Sequence, residues 1–166
     1  MLTDETILKA INRGVLHVYD WPGVHRRDRV FLMSTDLKNI LANAEAGKVY
    51  TYDYAPVVGD IRSYIKGDFM NIPALKPLQP VEEEIWALRS IRPSPQLRTF
   101  GRFAKPDVFV ASHVFDRDSL ERHGWGFQKT VCEDYWSKTF GFADPPFTST
   151  HYHHYVTANS ERKQIR

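Results

Sequence analysis

Arg89, Arg92, Arg98, Arg102 and Lys105 follow one another through the middle of the chain, and no carboxylate interrupts them between Glu84 and Asp107. Side chains alternate along a strand, so Arg98, Phe100 and Arg102 fall on one face while Leu97, Thr99 and Phe103 fall on the other. Guanidiniums flanking an aromatic ring suit phosphate contact combined with base stacking. The plainer alternative is a solvent-exposed strand face whose arginines pair with nearby carboxylates. Metal-free cleavage of RNA needs a base at the ribose 2′-hydroxyl, an acid at the leaving oxygen, and cations around the phosphorane-like transition state. Arg89, Arg98 and Arg102 are the candidate cations. His113 is the nearest group that titrates close to neutral pH, and together these four form the candidate catalytic set. Phe100, Lys105 and Arg117, joined by His151 and Tyr152 from the tail, are the candidate substrate contacts.

Other chemistries find little support. There is no phosphate-binding glycine loop, no zinc-spaced cysteine pair, no HExxH and no GxSxG. His151 and His153 would face the same way in an extended tail. With no cysteine or carboxylate beside them, they are read as no metal site. No cofactor is expected.

The elements that must position the arginines form a β-meander. Strands are expected over 84–91, 97–103 and 108–115, separated by the Pro93 and Pro95 break and by the turn Lys105-Pro106-Asp107. Asp116 to Ser119 can cap a short helical turn. An amphipathic helix follows over 127–140, with Phe127, Val131 and Tyr135 on one line and Cys132, Trp136 and Phe140 on another. In the N-terminal half, Thr3 caps a helix and strands are expected over 15–19 and 30–33. Ser34, Thr35 and Asp36 offer caps for a helix through Ala46. Residues 48–54 alternate cleanly, which predicts a strand with Tyr50, Tyr52 and Tyr54 on one face. Pro56 and Gly59 are expected to break it before a short helix over 61–66. His25 to Arg29 reads as a solvated hairpin tip, and 68–81 as a proline-punctuated connector. The expected fold class is α+β, with an antiparallel β-meander in the C-terminal half packed by amphipathic helices and an N-terminal α/β half. It is one domain, divisible into lobes 1–67 and 82–147, with an extended tail over 148–166.

Composition sets the outer limits. The chain has 166 residues, enough for one well-cored domain, and is 42% hydrophobic and 25% charged, the globular range. A net charge of +2 means that a nucleic-acid partner must be met by a local patch. Cys132 stands alone, which excludes an internal disulfide framework. No apolar run approaches membrane-spanning length and the first residues do not read as a signal peptide, so a cytoplasmic protein with no membrane partner is expected.

Leu75-Lys76-Pro77-Leu78, Ile85-Trp86-Ala87-Leu88-Arg89, Leu97-Arg98-Thr99-Phe100 and the apolar strand running from Val108 through His113 to Arg117 form an ordered series. Over 72–117 this series resembles the RelE/HigB-like toxin family, small ribonucleases of toxin–antitoxin modules. Ala87 stands where that family carries an acidic residue. The resemblance implies an RNA cleft holding Arg89 and Arg98, with His113 and Arg117 nearby. The competing expectation is a non-catalytic interaction protein, such as an accessory protein of a mobile element. It would act through its tyrosine and tryptophan faces in a homodimer or with a protein partner.

Overall fold

The first helix begins where Thr3 can cap it. In the computed structural model, which describes residues 2–24, 27–48, 51–68, 70, 73–92 and 94–157, Thr3 Oγ1 accepts the Thr6 N–H at 3.2 Å and opens α1 (Asp4–Asn12). β1 (His17–Val18) pairs antiparallel with β2 (Val30–Met33). Ser34 Oγ then accepts the Leu37 N–H at 3.2 Å and starts α2 (Thr35–Glu45). After α3 (Ala55–Lys66) come β3 (Leu75–Pro77), β4 (Trp86–Ser90), β5 (Leu97–Lys105) and β6 (Val108–Asp116). Asp116 Oδ1 accepts the Ser119 N–H at 2.8 Å and caps α4 (Arg117–His123). α5 (Gly126–Phe140) and α6 (Tyr152–Tyr155) complete the order.

The strands form one sheet in the order β1-β2-β6-β5-β4-β3. Every pairing is antiparallel except β2 with β6, which is parallel. The expected meander is present as β4, β5 and β6, and the protein is α+β. Strands from both halves of the chain share this sheet. On one side, α2, α3 and the tail cover Phe31, Trp86, Leu97, Phe103 and Phe109. On the other, α1 and α5 cover Leu32, Val108 and Val110, while α4 and α5 close over Ile85 and Phe100. Alternation along β5 holds. Leu97 and Phe103 lie on the α3 side, and Phe100 lies under α4 and α5.

Several local expectations are corrected. The strand expected over 48–54 is absent among the described residues, because Asp53 Oδ1 accepts the Ala55 N–H at 3.0 Å and turns the chain into α3. Pro56 lies in the first turn of that helix, where its missing N–H has no partner to lose, so it starts α3 rather than breaking a strand. Gly59 lies inside the helix. The connector 68–81 carries the edge strand β3, and Pro77 fits there because an edge leaves its nitrogen unpaired. Arg29 is no solvated tip residue. It is fully buried and donates to the Tyr64 and Asp68 carbonyls, both at 3.0 Å, while its Nε stands 3.6 Å from Asp107. His25 and Arg26 lie outside the described residues. So do Tyr50 and Ser160 to Arg166.

The α5 pattern is half right. Cys132, Trp136 and Phe140 are buried as expected, but Phe127 at the head of the other line is 75% exposed. The tail is not simply extended. It forms α6 and inserts Tyr155 and Val156 into the core on the α3 side.

Candidate anion-binding cleft

β4 and β5 place Arg89 directly opposite Arg98. Like charges opposed on adjacent strands repel unless something between them compensates. Arg98 is only 3% exposed. Its guanidinium donates to the Leu97 carbonyl at 3.0 Å and to Gln96 Oε1 at 3.1 Å, both neutral acceptors. Arg89 donates to the Pro73 carbonyl at 2.8 Å. Among the described residues no carboxylate stands within 4.0 Å of either guanidinium. Burial, reinforced by the charges of Arg89 and Arg117, lowers Arg98 to about 10, so it remains a cation at neutral pH.

The pair opens into a cleft of about 390 Å³ between the β3 edge and the α4–α5 junction. Lys76 and Gln79 approach it from β3 and the segment after it, Arg117 and Glu121 from α4, and Trp125 and Lys129 from the start of α5. Glu121 pairs with Arg117 at 3.7 Å across one helical turn. Lys129 is engaged by Glu83 and by the Gln79 carbonyl. Among the described residues, Lys76, Arg89 and Arg98 are thus the cleft cations with no carboxylate at ion-pair distance, and Glu121 acts on Arg98 only from farther off. Trp125 is half-buried, with its ring 6.0 Å from that of Phe100. Such a cleft can hold an anion by charge-assisted hydrogen bonds, with an aromatic wall beside it.

Comparisons with family models, curated proteins and solved structures find no match. The chemistry of the cleft rests on its own geometry.

Of the residues expected from the sequence, the cleft gathers Arg89, Arg98 and Arg117. The others lie elsewhere. Phe100 is fully buried beneath α4 and α5, so no base can stack on it. Arg102 shares the face of Arg98 but donates to the Glu83 carbonyl at 2.8 Å and lies 5.8 Å from the Trp136 ring. Lys105 pairs with Asp4 at the far end of β5. His151 and Tyr152 belong to the opposite face of the sheet, where the Tyr152 hydroxyl donates to the Met70 and Leu75 carbonyls. Sequence reasoning missed Lys76, Glu121, Trp125 and Lys129. A lysine beside an edge-strand proline was the available hint for Lys76.

His113 is held rather than presented. Its ring stacks on Phe100 at 4.9 Å and 14°, and its nitrogens face Ser112 Oγ and Gln128 Oε1, both at 2.8 Å. Burial pushes the imidazole down to about 4 from its usual 6.5, against the opposing pull of Gln128. The group is neutral at pH 7 and does not line the cleft. Between pH 6.5 and about 4 the unfolded chain takes up a proton that the folded chain refuses. The contribution is therefore complete above pH 6.5 and is lost as pH falls through that window, by up to roughly 3 kcal/mol. Urea unfolding at pH 7 and at about pH 4.5 should show this loss, and His113→Gln should shrink the difference. An equal difference in the variant would assign the acid sensitivity to other groups.

Proposed function

We propose that the cleft binds the phosphate backbone of single-stranded RNA. The observation that carries this reading is the opposed Arg89–Arg98 pair, a partly dehydrated double cation that a phosphate would bridge. The volume of the cleft favours a single strand over a duplex, and Trp125 takes the stacking role first expected of Phe100. His113, the histidine expected to serve as acid or base, does not line the cleft. Glu121 is the carboxylate the cleft offers for proton transfer. Binding without cleavage is the form of the function that the geometry supports best.

Fluorescence anisotropy with a labelled single-stranded RNA of about ten nucleotides, measured across a salt series, tests this. Arg89→Ala should weaken binding about tenfold and flatten the log–log salt slope by about 0.7, the value for one lost phosphate contact. An unchanged slope in the variant, or no wild-type binding at low salt, would remove the proposal. Intact RNA after incubation is the expected companion result. Cleavage that disappears in Glu121→Gln would convert the reading to a ribonuclease.

The tyrosine-interface alternative has less behind it. The Tyr52 hydroxyl donates to Asp116 Oδ2 at 2.6 Å, and Tyr54 is buried at the start of α3.

A further inference from the structure

A second cavity, of about 550 Å³, lies on the opposite side of the β3–β4 edge, between the tail and the segment that follows β3. Its walls include Trp86, Tyr152 and Tyr155, and the carboxylates of Glu82 and Glu84 reach it as well. The Trp86 ring stands 5.9 Å from Tyr152 and 4.6 Å from Tyr155, inclined at 45° and 50°. The result is an aromatic-walled recess with acid at its mouth and floor.

Glu84 is the unusual member. It is only 7% exposed, and its backbone is left-handed, at φ 55° and ψ 38°. A residue with a Cβ is rarely found there, and such strain persists where the surroundings hold it. Glu84 Oε2 accepts from the Tyr155 hydroxyl at 2.7 Å and sits 3.5 Å from Trp86 Nε1. Oε1 has no protein donor among the described residues. Arg102 donates to the Glu83 carbonyl and acts on the Glu84 carboxylate through its charge, without a hydrogen bond to it. The cavity thus holds, on a largely buried residue, a carboxylate oxygen that lacks a protein donor, together with a second carboxylate and aromatic side chains. All three features are complementary to a cation, and the free oxygen calls for one that carries N–H groups.

We infer that this recess is a binding site for a protonated amine, whose ammonium bonds Glu84 and whose apolar body lies against Trp86 and Tyr152. The volume suits a small organic molecule or one side chain. The site is independent of the RNA cleft, which lies on the other face of the sheet.

The indole N–H resonance of Trp86, followed by NMR in the intact protein, reports on the site, with Trp21, Trp125 and Trp136 as internal controls. Phenethylamine and spermidine represent free amines. The peptide acetyl-Gly-Lys-Gly-amide represents a presented lysine, and 2-phenylethanol is the neutral control. Each is raised to about 10 mM. A saturable Trp86 shift with at least one amine, and none with the alcohol, is the expected result. Response to the free amines alone identifies a small metabolite-like ligand, and response to the peptide alone identifies a lysine side chain. Glu84→Gln should weaken the response at least about tenfold. Should that variant fail to fold by circular dichroism, the exposed Glu82→Gln should weaken it about threefold through lost attraction alone. Silence with every amine, an equal shift with the alcohol, or full binding by the folded variant would overturn the proposal.

Discussion

Replacing Arg98 with methionine is expected to weaken RNA binding about 30-fold and, at the same time, to raise the unfolding free energy by about 1 kcal/mol. The two signs have one cause. Arg98 is nearly inaccessible, faces Arg89 across the ladder, and is solvated only by a carbonyl and an amide oxygen. Holding a cation there costs desolvation and repulsion that the folded protein alone does not recover. Methionine keeps much of the packing of the stem while removing the charge. A phosphate bound in the cleft supplies the missing counter-charge, so the same replacement removes a bond worth more than a neutral one. Urea unfolding and RNA anisotropy on one preparation test both halves. A loss of more than about 2 kcal/mol with unchanged RNA affinity would make Arg98 a structural residue and take the centre out of the proposed site.

The elements that sequence reasoning located are those with local causes. Thr3, Ser34 and Asp116 each cap the helix that follows within three residues, and nothing distant has to be known to see it. The two-residue alternation placed Arg98, Phe100 and Arg102 on one face of β5. Alternation carries no information about what covers that face. A phenylalanine on a strand reads the same whether it meets solvent or a helix, and here α4 and α5 return to bury Phe100 against Leu120 and Cys132. Sharing a face does not bring two residues to one site. Arg98 and Arg102 are about 13 Å apart at strand rise, so one borders the cleft while the other lies near Trp136.

The cleft itself was legible only in part, because its walls come from three separated segments. Lys76, the Arg89–Arg98 pair and Trp125 meet only once β3 has joined the edge of β4 and α5 has crossed the sheet. The tail shows the same limit. Its histidines suggest chemistry in the sequence, whereas the burial of Tyr155 and Val156 decides where it goes, onto the face away from the arginines.

Gly101→Ala is expected to destabilise the protein by at least about 3 kcal/mol, more than any other single methyl group added on this sheet. An added Cβ would stand 2.5 Å from Phe109 Cζ and closer still to the Val110 carbonyl oxygen. Neither neighbour can yield easily. The Val110 carbonyl belongs to β6, the strand that joins β5 to β2, so moving it disturbs pairings on both sides. The Phe109 ring is held edge-on by Tyr64 and Phe103 and lies 5.7 Å from Phe31. Gly101 also marks a register shift in the β5–β6 ladder, beside the stretch that carries Arg98 and Phe100. Shortening the ring with Phe109→Leu should cost stability alone yet recover part of the loss when combined with Gly101→Ala, since it relieves the ring contact and leaves the carbonyl contact in place. Denaturant midpoints for the two single variants and the double variant give the coupling. A Gly101→Ala protein within about 0.5 kcal/mol of the wild type would show that the β5–β6 ladder opens at this point at little cost, and that the arginine pair is held less rigidly than its burial implies.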